Sequence, residues 1–239
     1  MKIKLLLSIF LIVSNMGIAQ SEQLKKDYKP LPSEMEVAKY YQQEDKNGER
    51  ALLLAKDILE NKQILNKASA YGNAVTFFAR ILNQRPELTN QWCNNLKSIQ
   101  YAPVFKMANT QESKKCLSQF KLNDEQQKYV QAFANIQQLE TLQMTPQTLD
   151  ARWASFFATG NKKYIEEIID YIADNVDFKN NKPENVTKQD IHRLLTISSA
   201  IWSLNSNIKQ DENIKKIAND YVIKQEKIRQ EKIKKEIKF

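Results

Sequence analysis

WASFFATGNKKYIEEIIDYI, residues 153–172, is the stretch on which the fold turns. Leu149, Trp153, Phe156 and Phe157 fall at i, i+4, i+7 and i+8, one face of one helix. Ile165, Ile168, Ile169 and Ile172 fall at i, i+3, i+4 and i+7, one face of the next. Between them Gly160 can take the left-handed conformation that closes a helix, and Asn161 can cap the following one. So short a connection makes the two helices antiparallel and brings their apolar stripes together. The aromatics then anchor a helical hairpin. The competing reading, a ligand site on Trp153 and Phe157, is disfavoured because aromatic stripes at helical period usually form core.

The same period runs outward along the chain. Ala51, Leu54, Ala55 and Ile58 form one stripe, and Ala74, Phe77, Phe78 and Ile81 another. Leu88, Trp92, Leu96 and Ile99 form a third; Ile191, Leu194, Leu195, Ile201 and Trp202 a fourth; Ile214, Ile217, Ala218 and Tyr221 a fifth. The expected aromatic core is therefore Phe77, Phe78, Trp92, Trp153, Phe156, Phe157 and Trp202. Helix starts are signalled by Ser33 with Glu36, Asn123 before two acids, Thr145-Pro146, and Thr187 with Asp190. Only four glycines occur in the chain, too few for the tight turns of sandwiches or barrels. These observations predict an all-α fold: an irregular, repeat-like stack of antiparallel helical hairpins in one domain over residues 33–221.

MKIKLLLSIFLIVSNMGIAQS opens with Lys2 and Lys4, continues through an apolar run from Leu5 to Val13, and reaches small residues at Gly17 and Ala19. This predicts a signal peptide over 1–19, cleaved before Gln20; an uncleaved anchor is the alternative. Residues 20–32, ending in Pro30 and Pro32, read as an extended leader. The expected location is periplasmic or secreted, with no transmembrane segment after cleavage. In that oxidising setting Cys93 and Cys116 are expected to form a disulfide, the alternative being two buried thiols.

Of the formal net charge of +8, much lies in VIKQEKIRQEKIKKEIKF, residues 222–239, where seven Lys/Arg face three Glu. Once Lys2 and Lys4 of the expected signal peptide are also set aside, the remaining body is close to neutral, which argues against a nucleic-acid-binding domain. Isoleucines at 223, 228 and 233 advance about 140° each around a helix and so spiral, with Ile237 following. A dimeric coiled coil is disfavoured by that spacing. The segment reads as a solvated basic helix or tail. The sharper reading is a cationic arm in which Lys224, Lys227, Arg229, Lys232, Lys234, Lys235 and Lys238 meet anionic lipid, cell-wall polymer or an acidic partner.

Catalytic chemistry finds little to stand on. His192 is the single histidine, and its neighbours form no nucleophile motif. One histidine and two cysteines leave no zinc site, no Asp-rich loop suggests calcium, and no glycine-rich loop suits phosphate; no cofactor is expected. Glu112-Ser113 resembles the glutamate-serine pair of lytic transglycosylases, but the downstream segment expected in that family is missing. Glu166 and Glu167 read as charges near a helix N-terminus.

The hairpin at 149–172 resembles tetratricopeptide-type repeats in carrying an aromatic, a turn glycine and a tyrosine. Tyr164 lies farther from Gly160 than those repeats place it, and no repeat period of about 34 residues recurs. PELTNQW (86–92), LDARWASFFATGN (149–161) and AIWSLNSNIKQ (200–210) are similar to a group of uncharacterised exported bacterial helical proteins. That resemblance implies an all-helical exported fold and no activity.

The expected function is protein–protein interaction outside the cytoplasm, as an adaptor, an immunity-type protein or a secreted effector. The alternatives are a carboxylate-based cell-wall hydrolase, and a basic chaperone or membrane-surface binder acting through residues 222–239.

Overall fold

The computed structural model describes residues 32–181 and 185–239. The expected signal peptide, and the leader up to residue 31, lie outside them. Among the described residues the fold is all-α, with no strand. These residues form two compact units. The N-terminal unit comprises 32–142 together with Phe157–Gly160, and the C-terminal unit Gln143–Phe156 with Asn161–Phe239. The stretch 33–221 is thus divided between two units, and residues 222–239 are part of the C-terminal one.

The N-terminal unit begins with α1 (Pro32–Lys39) and a 3-10 turn at Tyr40–Gln42. Ser33, expected as a cap, lies inside α1, because Pro32 already suits the first helical position. Glu36 instead pairs with Arg50 at 2.5 Å. Next come α2 (Glu49–Leu59), the short α3 (Lys62–Leu65) and α4 (Ala68–Gln84). Asp45 holds the start of α2, accepting the Ala51 N–H at 2.9 Å and the Tyr40 hydroxyl at 2.9 Å. On α4, Phe77 and Phe78 are fully buried and stack edge-on at 5.0 Å.

After α4 the helices shorten: α5 (Thr89–Asn95), α6 (Ala102–Ala108), α7 (Gln111–Leu117), α8 (Asp124–Gln131) and α9 (Ile136–Thr141). α4 packs on α2, α3, α6 and α9, which makes it the centre of this unit. Arg80, 4% exposed on α4, is held by Glu140 of α9 at 2.9 Å. Cys93 on α5 and Cys116 on α7 stand at disulfide distance, with Cα atoms 5.7 Å apart. A bond closing a loop with a sequence separation of 23 stabilises by about 3 kcal/mol in the chain-entropy model. Trp92, beside Cys93, is buried against Phe78 at 6.0 Å.

The opening stretch forms α10 (Pro146–Thr159) and α11 (Lys163–Asn180). Gly160 takes φ 67°, and Asn161 Oδ1 accepts the Lys163 N–H at 3.1 Å. A Cβ at Gly160 would come within 3.3 Å of the Tyr41 ring, so both backbone and space require glycine. Arg152 on α10 pairs with Glu167 on α11 at 3.0 Å, across the turn from one another, as antiparallel helices require. Trp153, Phe156 and Phe157 are all buried, as are the four isoleucines of α11.

α12 (Lys188–Gln210) is opened by the expected box: Thr187 Oγ1 accepts the Asp190 N–H and Asp190 Oδ2 the Thr187 N–H, at 3.1 and 2.9 Å. α13 (Glu212–Val222) and α14 (Lys227–Glu236) follow. α11 packs against α12, α13 and α14, and α12 also against α13.

The phase of α12 differs from its reading in sequence. Its buried face is Thr196, Ile197, Ala200, Ser203, Leu204, Asn207 and Ile208, on the side opposite the expected stripe. Ile191, Leu195 and Trp202 are exposed. The cause is the polar content of the inner face. Thr196 donates to the His192 carbonyl at 2.8 Å, Ser203 to the Ala200 carbonyl at 3.1 Å, and Asn207 to the Ser203 carbonyl at 2.9 Å. These bonds within the helix lower the cost of burying polar side chains, although Asn207 Oδ1 accepts none among the described residues, so hydropathy alone misplaces the face. The buried Trp153 indole also donates to Ser203 Oγ, at 3.0 Å.

Trp153→Ala should cost about 3–5 kcal/mol, the range of large aromatic truncations in cores. Ser203 keeps its bond to Ala200, so most of the loss is cavity. Urea unfolding followed by circular dichroism measures it; an unchanged midpoint would contradict the packing described.

Candidate functional site

Two surfaces of the C-terminal unit stand out. The first is the outward side of α12. Ile191, Leu195 and Trp202 occupy i, i+4 and i+11, and Ser198 at i+7 completes the line. Their exposures are 48%, 52% and 38%, large for apolar side chains on a helix whose other face is buried. Leu194 and Ile201, half-buried, border the line on one side. Trp202, expected in the core, belongs to this surface. Arg193 is held away from it by the Phe178 ring, 4.1 Å beneath its guanidinium, and by Asn175 Oδ1 at 2.7 Å. His192 is exposed, and its backbone carbonyl accepts the Thr196 hydroxyl.

The second surface is α14. The solvated-tail reading of residues 222–239 is overturned, because this helix is docked. Ile233 and Ile237 are 0% and 3% exposed. Arg229 reaches two carboxylates of α11, Asp174 at 2.5 Å and Asp170 at 2.8 Å, and Lys232 reaches Asp177 at 2.6 Å. These acids sit at i, i+4 and i+7, one stripe along α11. In return Lys179 of α11 pairs with Glu236 at 2.7 Å. Asn205 of α12 fixes the far end, donating to the Glu236 carbonyl at 2.8 Å and accepting the Lys238 N–H at 2.7 Å. Gln230 donates to the carbonyls of Ile223 and Gln225 at 3.0 and 2.8 Å, closing the turn before α14.

The seven expected surface cations therefore divide. Arg229 and Lys232 point inward to the acid stripe. Lys224, Lys227, Lys234, Lys235 and Lys238 are exposed and make no side-chain ion pair among the described residues. The spiral of isoleucines is as its spacing requires: Ile233 and Ile237 are inside, while Ile223 and Ile228 are 54% and 72% exposed.

Tyr221 belongs to the same junction and donates to Asp170 Oδ2 at 2.7 Å. Burial, and then the bond to Asp170, push its hydroxyl up to about 12. Asp190, at the head of α12, is held below the ordinary carboxylate value by its bonds to the Thr187 hydroxyl and backbone.

The carboxylates considered for hydrolysis are placed as follows. Glu167 is engaged by Arg152, and Glu166 is half-buried on the first turn of α11. Glu112 is half-buried on the first turn of α7, in the other unit. Among the described residues no group of three or more His, Cys, Asp or Glu converges as a metal site, and no helix is long and apolar enough to cross a membrane. A shallow depression on α2 is lined by Leu53, Lys56, Asp57, Glu60 and Asn61. Glu60 there accepts the Tyr101 hydroxyl, and burial raises that hydroxyl's pKa. The acid stripe Asp170, Asp174, Asp177 is the feature that sequence reasoning missed; its spacing, complementary to a basic segment, was the available signal.

Ile233→Ala should weaken the unit by about 2–5 kcal/mol and loosen α14, since it removes the side chain that seats the helix. Trypsin would then cut at Lys232 and Lys234 much faster than in the parent; equal rates would mean the docking does not depend on that side chain. Tyr221 gives a pH test. Folded Tyr221 keeps its proton up to about 12, whereas the unfolded residue loses it near 10.0. Its contribution is therefore complete below pH 10 and is lost as pH rises through 12. Tyr221→Phe should remove one high step from the phenolate absorbance titration.

Comparison of the chain with family models, with curated proteins and with solved structures finds no match.

Proposed function

We propose that this chain is an exported helical protein–protein interaction protein, acting as an adaptor, an immunity-type protein or a secreted effector, and that α12 presents its contact surface. The observation that carries this reading is the two-faced character of α12. One face packs within the unit and the other holds Ile191, Leu195 and Trp202 toward solvent. Scattered apolar residues are ordinary on a surface, but a line of large ones at helical spacing fits a groove or a second helix. Tryptophan is also enriched among residues that dominate binding energy at interfaces. The disulfide-distance pair Cys93 and Cys116 supports an oxidising compartment, in line with the expected signal peptide.

Leu195→Glu and Trp202→Glu test the reading. Leu195 is 52% exposed, so Leu195→Glu should unfold within about 0.5 kcal/mol of the parent; Trp202, 38% exposed, loses more, and circular dichroism confirms that its variant is folded before capture is compared. Oxidised protein used as bait in an envelope extract should capture a stoichiometric partner, and each variant should lose it. Capture of the same partner by both variants would remove α12 as the contact surface.

A further inference from the structure

We infer that the outer face of α14, with the turn before it, is a docking surface for an anionic lipid bilayer. The inward face of the helix is committed: Arg229 and Lys232 to the acid stripe, Ile233 to the core, Glu236 to Lys179. What remains outward is mostly cationic. Lys227 and Lys234 lie seven residues apart on one line of the helix, and Ile228 and Lys235 on the adjacent line. Lys224 precedes them in the turn and Lys238 follows the last residues of the helix; all five lysines are exposed and unpaired. Two exposed acids share this surface, Glu226 at the head of the helix and Glu231 on it, and the five lysines leave it net positive.

The two exposed isoleucines identify the anion as a bilayer. Ile228 is 72% exposed, follows Lys227 in sequence and lies on the line of Lys235, and Ile223 is 54% exposed and precedes Lys224 in sequence. A polyanion such as a phosphate polymer gains from the lysines and has no use for an aliphatic side chain. A bilayer uses both: the lysines meet headgroups and the isoleucines enter the boundary with the acyl chains. The docking of α14 adds preorganisation. The lysines are presented on a fixed helix, so their arrangement is not assembled from a disordered segment on contact. The helix lies on the surface and cannot span, being ten residues long.

The test is sedimentation of the full oxidised protein with vesicles of phosphatidylglycerol and phosphatidylcholine in equal parts, against vesicles of phosphatidylcholine alone. Binding is expected to the first only and to weaken with added salt. Lys227→Gln with Lys234→Gln should lower partitioning by about tenfold or more, since each lysine near an anionic surface contributes roughly fivefold. Lys114→Gln with Lys115→Gln removes the same charge from exposed positions in the other unit and should leave binding unchanged. Ile228→Ser keeps every charge and should lower binding about tenfold, the loss of a partly inserted aliphatic group. Circular dichroism and tryptic resistance of α14 confirm that each variant stays folded and docked. Absence of binding to the anionic vesicles overturns the proposal. So does equal loss in the two lysine pairs, which would mark unspecific charge attraction. If Ile228→Ser binds like the parent and soluble polyphosphate displaces the vesicles completely, the surface is a polyanion site and the bilayer assignment is wrong.

Discussion

The C-terminal unit depends on the buried face of α11. Tyr164, Ile165, Ile168, Ile169, Ile172 and Val176 are all at most 2% exposed, and α12, α13 and α14 each pack against that helix. Burying one such aliphatic side chain contributes roughly 1.5–3 kcal/mol. The ion pairs between α11 and α14 are of another order: their carboxylates are 41–61% exposed, and pairs of that kind contribute about 0–1 kcal/mol each. Packing of Ile233 and Ile237 therefore holds α14 down. The charges act on register. Arg229 faces Asp170 and Asp174 and Lys232 faces Asp177, so sliding α14 along α11 would set cations beside the wrong partners and leave acids unmatched.

What could be read from sequence follows from this division. Local features were legible: the hairpin around Gly160, the cap at Asn123, the box at Thr187, and the stripes of α2 and α4 all express the helix period or a contact within a few residues. The cysteine pair was legible from compartment chemistry. The inner face of α12 was not. It buries Thr196, Ser203, Ser206 and Asn207 among its aliphatics, so the apolar signal on its two sides is nearly balanced. The inner face also meets a partner far away in sequence: Ser203 accepts the indole N–H of Trp153, fifty positions upstream. The docking of α14 was hidden for the same reason: its partners Asp170, Asp174 and Asp177 lie more than fifty residues upstream.

The surface α12 leaves to solvent and the surface α14 leaves to solvent arise by one route. In each case a helix satisfies its inward face with few large aliphatics, by local hydrogen bonds in α12 and by ion pairs in α14. The remaining residues are then free of packing duties. On α12 they are Ile191, Leu195 and Trp202, which gain nothing from water. On α14 they are lysines and two isoleucines.

The inward ion pairs also shape the field outside. Asp170, Asp174 and Asp177 are met by Arg229 and Lys232, so the junction between α11 and α14 is close to neutral. The positive charge of the segment then appears almost wholly on its outer side, at Lys224, Lys227, Lys234, Lys235 and Lys238. Had α14 been free in solution, its cations would point in every direction and attract anions diffusely. Docked, it converts a basic composition into a directional surface. The acid stripe turns the helix so that one face remains charged, and the buried isoleucines keep it turned.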